Sequence, residues 1–297
     1  MTDPELFPGF ATHQVKTSGA EIRCVIGGSG PPLLMLHGYP QTHAMWHRIA
    51  PALAHTHTVV CADLRGYGDS SKPESDVQHA PYSKRAMAAD MVELMHDFGF
   101  DRFALVGHDR GGRVAHRLVR DHPDAVTRVV VLDISPTATM YDKTDRAFAT
   151  AYYHWFFLIQ PFDLPERLIG ADPLYYLGKK LGGWGSAGLA FFDPRAYAEY
   201  QRAFADPRTI HATCEDYRAA ATIDLEHDRI DNARITCPML VLWGARGIVN
   251  RLFDPLDDWR AVADDVHGHV IECGHYLAEE APEATLAALA PFLAHSH

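Results

Sequence analysis

Short apolar runs at 33–36, 59–62, 103–106, 129–132, 239–243 and 266–271 alternate with segments of helical period, and this alternation constrains the fold more than any other feature. Between 82 and 98, Met87, Met91, Leu94 and Met95 fall on one helical face, and after Gly111 so do Val114, Ala115, Leu118 and Val119. Strands joined through helices run in parallel, because the helix carries the chain back to the starting edge of the sheet. The spacing predicts an α/β fold with a mainly parallel sheet flanked by helices. Ligands of such sheets bind beyond the carboxyl ends of the strands.

The alternation stops between about Ser135 and Asn232, where aromatic-rich helical stretches such as 152–158 and 196–204 appear without a convincing strand. This is read as a helical insertion starting after one strand and ending before the next. A core of 1–134 and 233–297 would then carry a cap of 135–232 over the carboxyl edge of its sheet. The Gly-rich stretch 181–188 is predicted as a loop inside the cap. A chain of 297 residues is long enough for one large core with such an insertion.

Lys and Arg number 27 against 38 Asp and Glu, a net charge of -11, which disfavours a phosphate-backbone partner. Neither nucleic acid nor membrane is expected: the first residues lack an apolar run behind a basic start, and no stretch approaches the ~20 apolar residues that span a bilayer. Cys24, Cys61, Cys214, Cys237 and Cys273 are scattered and lack C-x-x-C spacing, which argues against a disulfide framework or a zinc site. A cytoplasmic protein with reduced thiols is the expectation.

The run from Phe103 to Gly112 places Asp109 between Gly107 and Gly111, after a strand and before an amphipathic helix. A strand-to-helix turn this sharp needs small residues two before and two after its apex, and it leaves the apex side chain standing over the sheet. The plainer alternative is that Asp109 caps the helix. An aspartate is ionised at neutral pH and needs no base to become a nucleophile, which suits displacement at a saturated carbon. Arg110 and Arg113 lie one helical turn apart and can reach one spot beside Asp109, as a clamp for an anionic substrate or as ordinary surface charge.

Together, His37-Gly38-Tyr39-Pro40-Gln41, the run from Asp63 to Ser70, the elbow at Asp109 and Gly274-His275 resemble the α/β-hydrolase fold over nearly the whole chain. The aspartate elbow is similar to that of haloalkane dehalogenases, epoxide hydrolases and fluoroacetate dehalogenases. Gly107-His-Asp-Arg-Gly-Gly112, Arg113 and His154-Trp155 resemble the last of these most. The resemblance implies His275, in the last loop before the C-terminal helix, as the base that activates water. A reference pKa near 6.5 suits that task. In this fold the acid that orients the base follows one of two strands. Glycines at 244 and 247 occupy the later place, so Asp133 is expected, with Asp254 as the fallback. Backbone N–H groups of Tyr39 and Arg110 would hold the oxyanion, and His108 is expected to pack.

On their own His154, Trp155 and Tyr217 read as packing. The resemblance makes them neutral donors to a departing halide. It implies hydrolytic dehalogenation of short 2-haloacids such as fluoroacetate and chloroacetate to 2-hydroxyacids. No metal or organic cofactor is implied, the partner is a small anion, and the assembly is a homodimer. An epoxide hydrolase is the alternative, with Tyr217 and either Tyr152 or Tyr153 on the epoxide oxygen. A non-catalytic ligand-binding protein of the same fold is a second.

Overall fold

The computed structural model describes residues 4–185 and 188–294. Eight strands form one sheet in the order β1-β2-β4-β3-β5-β6-β7-β8: β1 (Ala11–Lys16), β2 (Glu21–Gly28), β3 (Pro32–Leu36), β4 (Thr58–Ala62), β5 (Phe103–His108), β6 (Val126–Leu132), β7 (Met239–Gly244) and β8 (Val266–Ile271). From β4 through β8 all pairings are parallel, whereas β1 and β2 add an antiparallel hairpin at one edge. Each apolar run read from the sequence lies in one of the parallel strands. β3, β5 and β6 are buried almost throughout and so read as continuous apolar sequence.

α1 (Ala50–Leu53) precedes β4, α2 (Lys84–Asp97) links β4 to β5, and α3 (Arg110–Asp121) links β5 to β6. α3 packs on β3, β5, β6 and α2 through the apolar face seen in the sequence. Eight helices lie between β6 and β7: α4 (Thr137–Asp142), α5 (Arg146–Ala151), α6 (Tyr153–Leu158), α7 (Leu164–Gly170), α8 (Pro173–Leu181), α9 (Pro194–Phe204), α10 (Pro207–Ala221) and α11 (Ile223–Ile230). α10 is their hub, touching α6, α7, α9 and α11. The predicted Gly-rich loop begins later than read: Leu181 closes α8, Gly182 to Gly185 turn, and Ser186 and Ala187 lie outside the described residues.

After β7 come α12 (Ile248–Leu252) and α13 (Pro255–Arg260), and after β8 α14 (Leu277–Glu280) and α15 (Pro282–Ala294). Because β3, β5, β6, β7 and β8 are consecutive neighbours running in one direction, the loops after them converge at one edge. His37 to Tyr39, Asp109, Asp133, Gly244 to Gly247 and His275 are thereby gathered from distant parts of the chain. Among the described residues no helix is long and apolar enough to cross a membrane.

Candidate active site

β5 ends at His108 and α3 starts at Arg110, so the chain turns on Asp109, whose φ of 45° lies where L-residues are strained. The neighbouring glycines make the turn feasible. A Cβ at Gly107 would stand 2.5 Å from the Gly111 carbonyl oxygen, and one at Gly111 2.4 Å from the carbonyl oxygen of Leu36. The Asp109 side chain makes no cap on α3. Its Oδ1 instead accepts the backbone N–H of Tyr39 at 2.9 Å, leaving Oδ2 free of such a bond. Burial would raise its carboxyl, but the charges of His275, His108, Arg113 and Arg110 prevail and hold it below the usual range.

His275 follows β8, and its Nδ1 lies 2.5 Å from Asp133 Oδ2. Asp133 follows β6 directly, with a φ of 51°, and its Oδ1 accepts the Gly244 N–H at 3.0 Å. A Cβ at Gly247 would approach Asp133 Oδ1 to 3.1 Å, so the ends of β6 and β7 face one spot and an acid is present from only the first. Asp254 is exposed and caps α13 through the Asp257 N–H, which removes it as the fallback. Burial would lower His275, yet the hydrogen bond and charge of Asp133, with Asp109 and Glu280, raise it above its ordinary value. His108 packs on the His275 ring at 4.5 Å and its Nε2 donates to the His275 carbonyl oxygen. Burial and the His275 charge push His108 down to about 3, so it is neutral and structural.

The two arginines are less alike than their spacing implied. Arg110 is fully buried and gives its fork to Asp216: Nε to Oδ2 at 2.9 Å, Nη2 to Oδ1 at 2.6 Å and to the carbonyl oxygen at 3.0 Å. Nη1 alone is without a partner, and the guanidinium carbon lies 4.1 Å from the centroid of the Tyr217 ring. Asp216 also accepts Tyr67 at 2.6 Å and pairs with Lys84 of α2. Arg113 meets no carboxylate among the described residues. It donates to the Ser135 carbonyl oxygen, Thr137 Oγ1 and Met140 Sδ, lies on the Trp155 ring at 4.6 Å, and keeps Nε unpaired.

α6 supplies His154 and Trp155, and α10 supplies Tyr217. All are buried, and neither His154 ring nitrogen, nor Trp155 Nε1, nor the Tyr217 hydroxyl has a hydrogen-bond partner. Unmet donors so deeply buried cost free energy unless something accepts from them. The His154 ring lies 5.5 Å from that of Tyr217 and 6.1 Å from that of Tyr39, so the donors of α6 and α10 stand beside the loop after β3. His154 is held well below its ordinary pKa by burial and neighbouring cations, so it is neutral. Tyr152 is buried beside it, whereas Tyr153 is 45% exposed and faces outward.

Sequence reasoning missed three members of this site. Asp216 adjoins Tyr217 in α10, where a charge inside a mostly buried helix was the available signal. Trp184, just beyond α8, stacks on His275 at 4.8 Å; its signal was an indole inside a Gly-rich turn. Lys180 is buried among the same rings. Elsewhere Glu166, His211 and Glu215 gather within metal-ligand reach of one another, but Arg218 Nη1 stands 2.7 Å from both carboxylates and already offsets part of their charge.

A strained acid elbow, a histidine–aspartate pair from later strand ends and a run of helices inserted between β6 and β7 define a class, and the match to the α/β hydrolase fold over residues 31–282 agrees with it. The chain belongs to the α/β-hydrolase family. It is 48% identical to the fluoroacetate dehalogenase of Burkholderia sp, over 97% of this chain and 95% of that one. The soluble epoxide hydrolase of Corynebacterium sp. (strain C12) is 33% identical over 95% and 96%. A solved α/β-hydrolase-class structure from Nostoc sp PCC 7120 is 59% identical, with a TM-score of 0.95 over 97% of this chain and 99% of that one.

Proposed function

We propose that this chain hydrolyses short 2-haloacids, fluoroacetate and chloroacetate among them, to 2-hydroxyacids and halide. Asp109 Oδ2 attacks the carbon bearing the halogen, an ester forms, and the halide leaves with the bonding pair. His275 then takes a proton from water, and the hydroxide attacks the Asp109 carboxyl carbon. Oδ1, already held by the Tyr39 N–H, carries the oxyanion with the Arg110 N–H as second donor. Collapse breaks the ester bond, and the product oxygen recovers the proton from His275. Asp133 keeps the His275 ring in the tautomer that leaves Nε2 free to accept.

The observation that carries this reading is the disposition of unmet groups around Asp109. Arg113 and the Nη1 of Arg110 are cationic donors suited to a carboxylate, while His154, Trp155 and Tyr217 are neutral donors suited to a small leaving anion. Helices α4 to α11, as the cap, close the site so that fluoride exchanges its hydration for these donors. The 48% identity to a fluoroacetate dehalogenase supports the same reading. Epoxide opening has its own support in the Corynebacterium relative and in Tyr217 and Tyr152, both buried beside His154; the outward-facing Tyr153 is removed from it.

The test is intact-mass analysis of His275→Asn after incubation with fluoroacetate, followed by peptide mapping. An alkyl ester on Asp109 is expected, with one halide released per chain. Stoichiometric halide release from unmodified protein would refute the covalent step. Diol formation from epoxides with no halide from any haloacid would transfer the assignment to epoxide hydrolysis.

A further inference from the structure

Lys180, next to last in α8, is 3% exposed. A lysine near a helix end ordinarily extends its ammonium to water, and one kept inside ordinarily meets a carboxylate. Lys180 is kept inside yet, among the described residues, forms no ion pair with a carboxylate. It lies 4.4 Å from the ring centroid of Tyr153 and 4.7 Å from that of Trp184. Trp184 in turn lies flat on His275 and edge-on to His154, each at 4.8 Å. Aromatic faces attract a cation but supply no counter-charge, so among these neighbours the ammonium stays able to take an anion.

Its neighbours fix which part of the site it serves. α6 presents Tyr153 and His154, the turn after α8 presents Trp184, the loop before α14 presents His275 and Tyr276, and the elbow presents Asp109. Lys179, beside it on α8, is turned toward Tyr175. Among the cations around His154, Lys180 weighs most against protonation of that ring, ahead of Arg110, His275 and Arg113. Besides burial, the charge acting on Arg110 comes mainly from Asp216, and those acting on Arg113 from Asp109 and Arg110. Lys180 therefore belongs to the His154 side of the site.

We propose that the Lys180 ammonium is a third anion-binding group, which draws in and steadies the halide on the His154 side, away from the arginine pair. This rests on the dehalogenase reading for its biological sense but not for its test. Burial pushes Lys180 down to about 7, with the charge of Asp109 pulling the other way. An anion favours the ammonium form, so halide binding takes up a proton above neutrality and weakens as pH rises. In turnover, as distinct from binding, His275 acts in the opposite sense, since a base is lost as pH falls, so the two groups control opposite limbs of the rate profile.

The experiment titrates bromide into the full chain, without substrate, and follows tryptophan emission, since Trp184 touches the ammonium. Wild type, Lys180→Met and Lys180→Arg are compared at about pH 6 and about pH 9. For wild type, affinity is expected to fall roughly tenfold or more between the two, as one charge-assisted hydrogen bond is lost. Lys180→Met should bind about tenfold more weakly at the lower pH and show no further fall. Lys180→Arg, permanently charged, should keep its affinity at the higher pH, which also decides the matter if the methionine variant does not fold. Equal bromide affinity in wild type and Lys180→Met, or an undiminished pH dependence in Lys180→Arg, overturns the proposal. Lys180-dependent bromide binding in a chain that hydrolyses no haloacid would refute the dehalogenase reading and leave the anion site standing. Haloacid turnover with Lys180-independent bromide binding would refute the anion site alone.

Discussion

Replacing Asp216 with asparagine should separate the placing of Arg110 from the chemistry at Asp109. The carboxylate receives two hydrogen bonds from the Arg110 fork, one from Tyr67 and the charge of Lys84, all in the interior. Asparagine keeps the volume, so the loss is electrostatic and not a cavity. Two buried cations would then face a neutral amide. Breaking a buried ion pair from one side costs about 3–5 kcal/mol. At about 2–4 °C per kcal/mol for a large domain, the melting temperature should fall by roughly 6–20 °C. Released from its fork, Arg110 should bind the haloacid carboxylate less well in ground and transition states alike. KM for fluoroacetate should therefore rise by roughly 10- to 100-fold while kcat changes much less.

The pH dependence gives a second signature. Burial would raise the Asp216 carboxyl, but Arg110 and Lys84 hold it far below the usual carboxylate range. A depressed carboxyl stabilises the fold above its unfolded pKa near 3.9, and that stability is lost as pH falls from there toward the folded value. Melting curves of wild type and Asp216→Asn should thus differ most near neutrality and converge in acid. Differential scanning calorimetry across this range, with initial rates of halide release, provides the assay. A melting temperature within about a degree of wild type at pH 7, together with an unchanged KM, would refute the claim that Asp216 places Arg110.

Asp133→Asn should slow hydrolysis of the Asp109 ester by about 10³–10⁴-fold, because His275 loses the partner that fixes its tautomer; Asp254→Asn, at an exposed helix cap, should leave single-turnover ester breakdown as in wild type. Damage to ester breakdown confined to Asp254→Asn would reverse that assignment. Burial pushes Glu279 up to about 8 despite its bonds from Gln41 and Tyr200, so the folded chain holds a proton that the unfolded chain releases near pH 4.3. Stability should therefore fall as pH rises from about 4 to about 8, and Glu279→Gln should flatten that slope in urea titrations. Parallel slopes in the two proteins would contradict it.

β3 to β7 were legible because burial on both faces writes them largely as apolar runs between helical patterns, whereas β8 is mostly exposed and was read from its β-like ends. β1 and β2 were not legible. β1 is exposed along most of its length, and β2 ends in Gly27-Gly28, so neither has the composition of a buried strand. Helices α4, α5 and α7 have only 6 or 7 residues each, too short for a hydrophobic period to establish itself. Asp109 and Asp133 stand directly after a strand and His275 in the short loop that follows one, and parallel topology gives such positions a place in space. Asp216, Lys180 and Trp184 lie in the helices and turns between β6 and β7, where no such rule applies. Which side of a helix faces Asp109 depends on packing that a linear pattern does not record.

Those unread positions change the electrostatic argument. With only the elbow and the arginines in view, an anionic nucleophile appeared to face two free cations. Asp216 in fact takes up most of Arg110 and is itself balanced by Lys84, which leaves Arg113 as the guanidinium without a carboxylate of its own. Against it stand Asp109 and Asp133, the latter hydrogen-bonded to His275. Arg110, Arg113 and Lys84 together balance Asp216, Asp109 and Asp133, so an incoming carboxylate would bring negative charge that these groups do not offset, and the departing halide would have to form there. Lys180 resolves this imbalance: poised near neutrality, it gains a proton when an anion arrives and can release it when the anion leaves. A permanently charged group in its place would bind halide more firmly at every pH and slow its departure. A titrating lysine on the leaving-group side therefore suits turnover better than a third arginine.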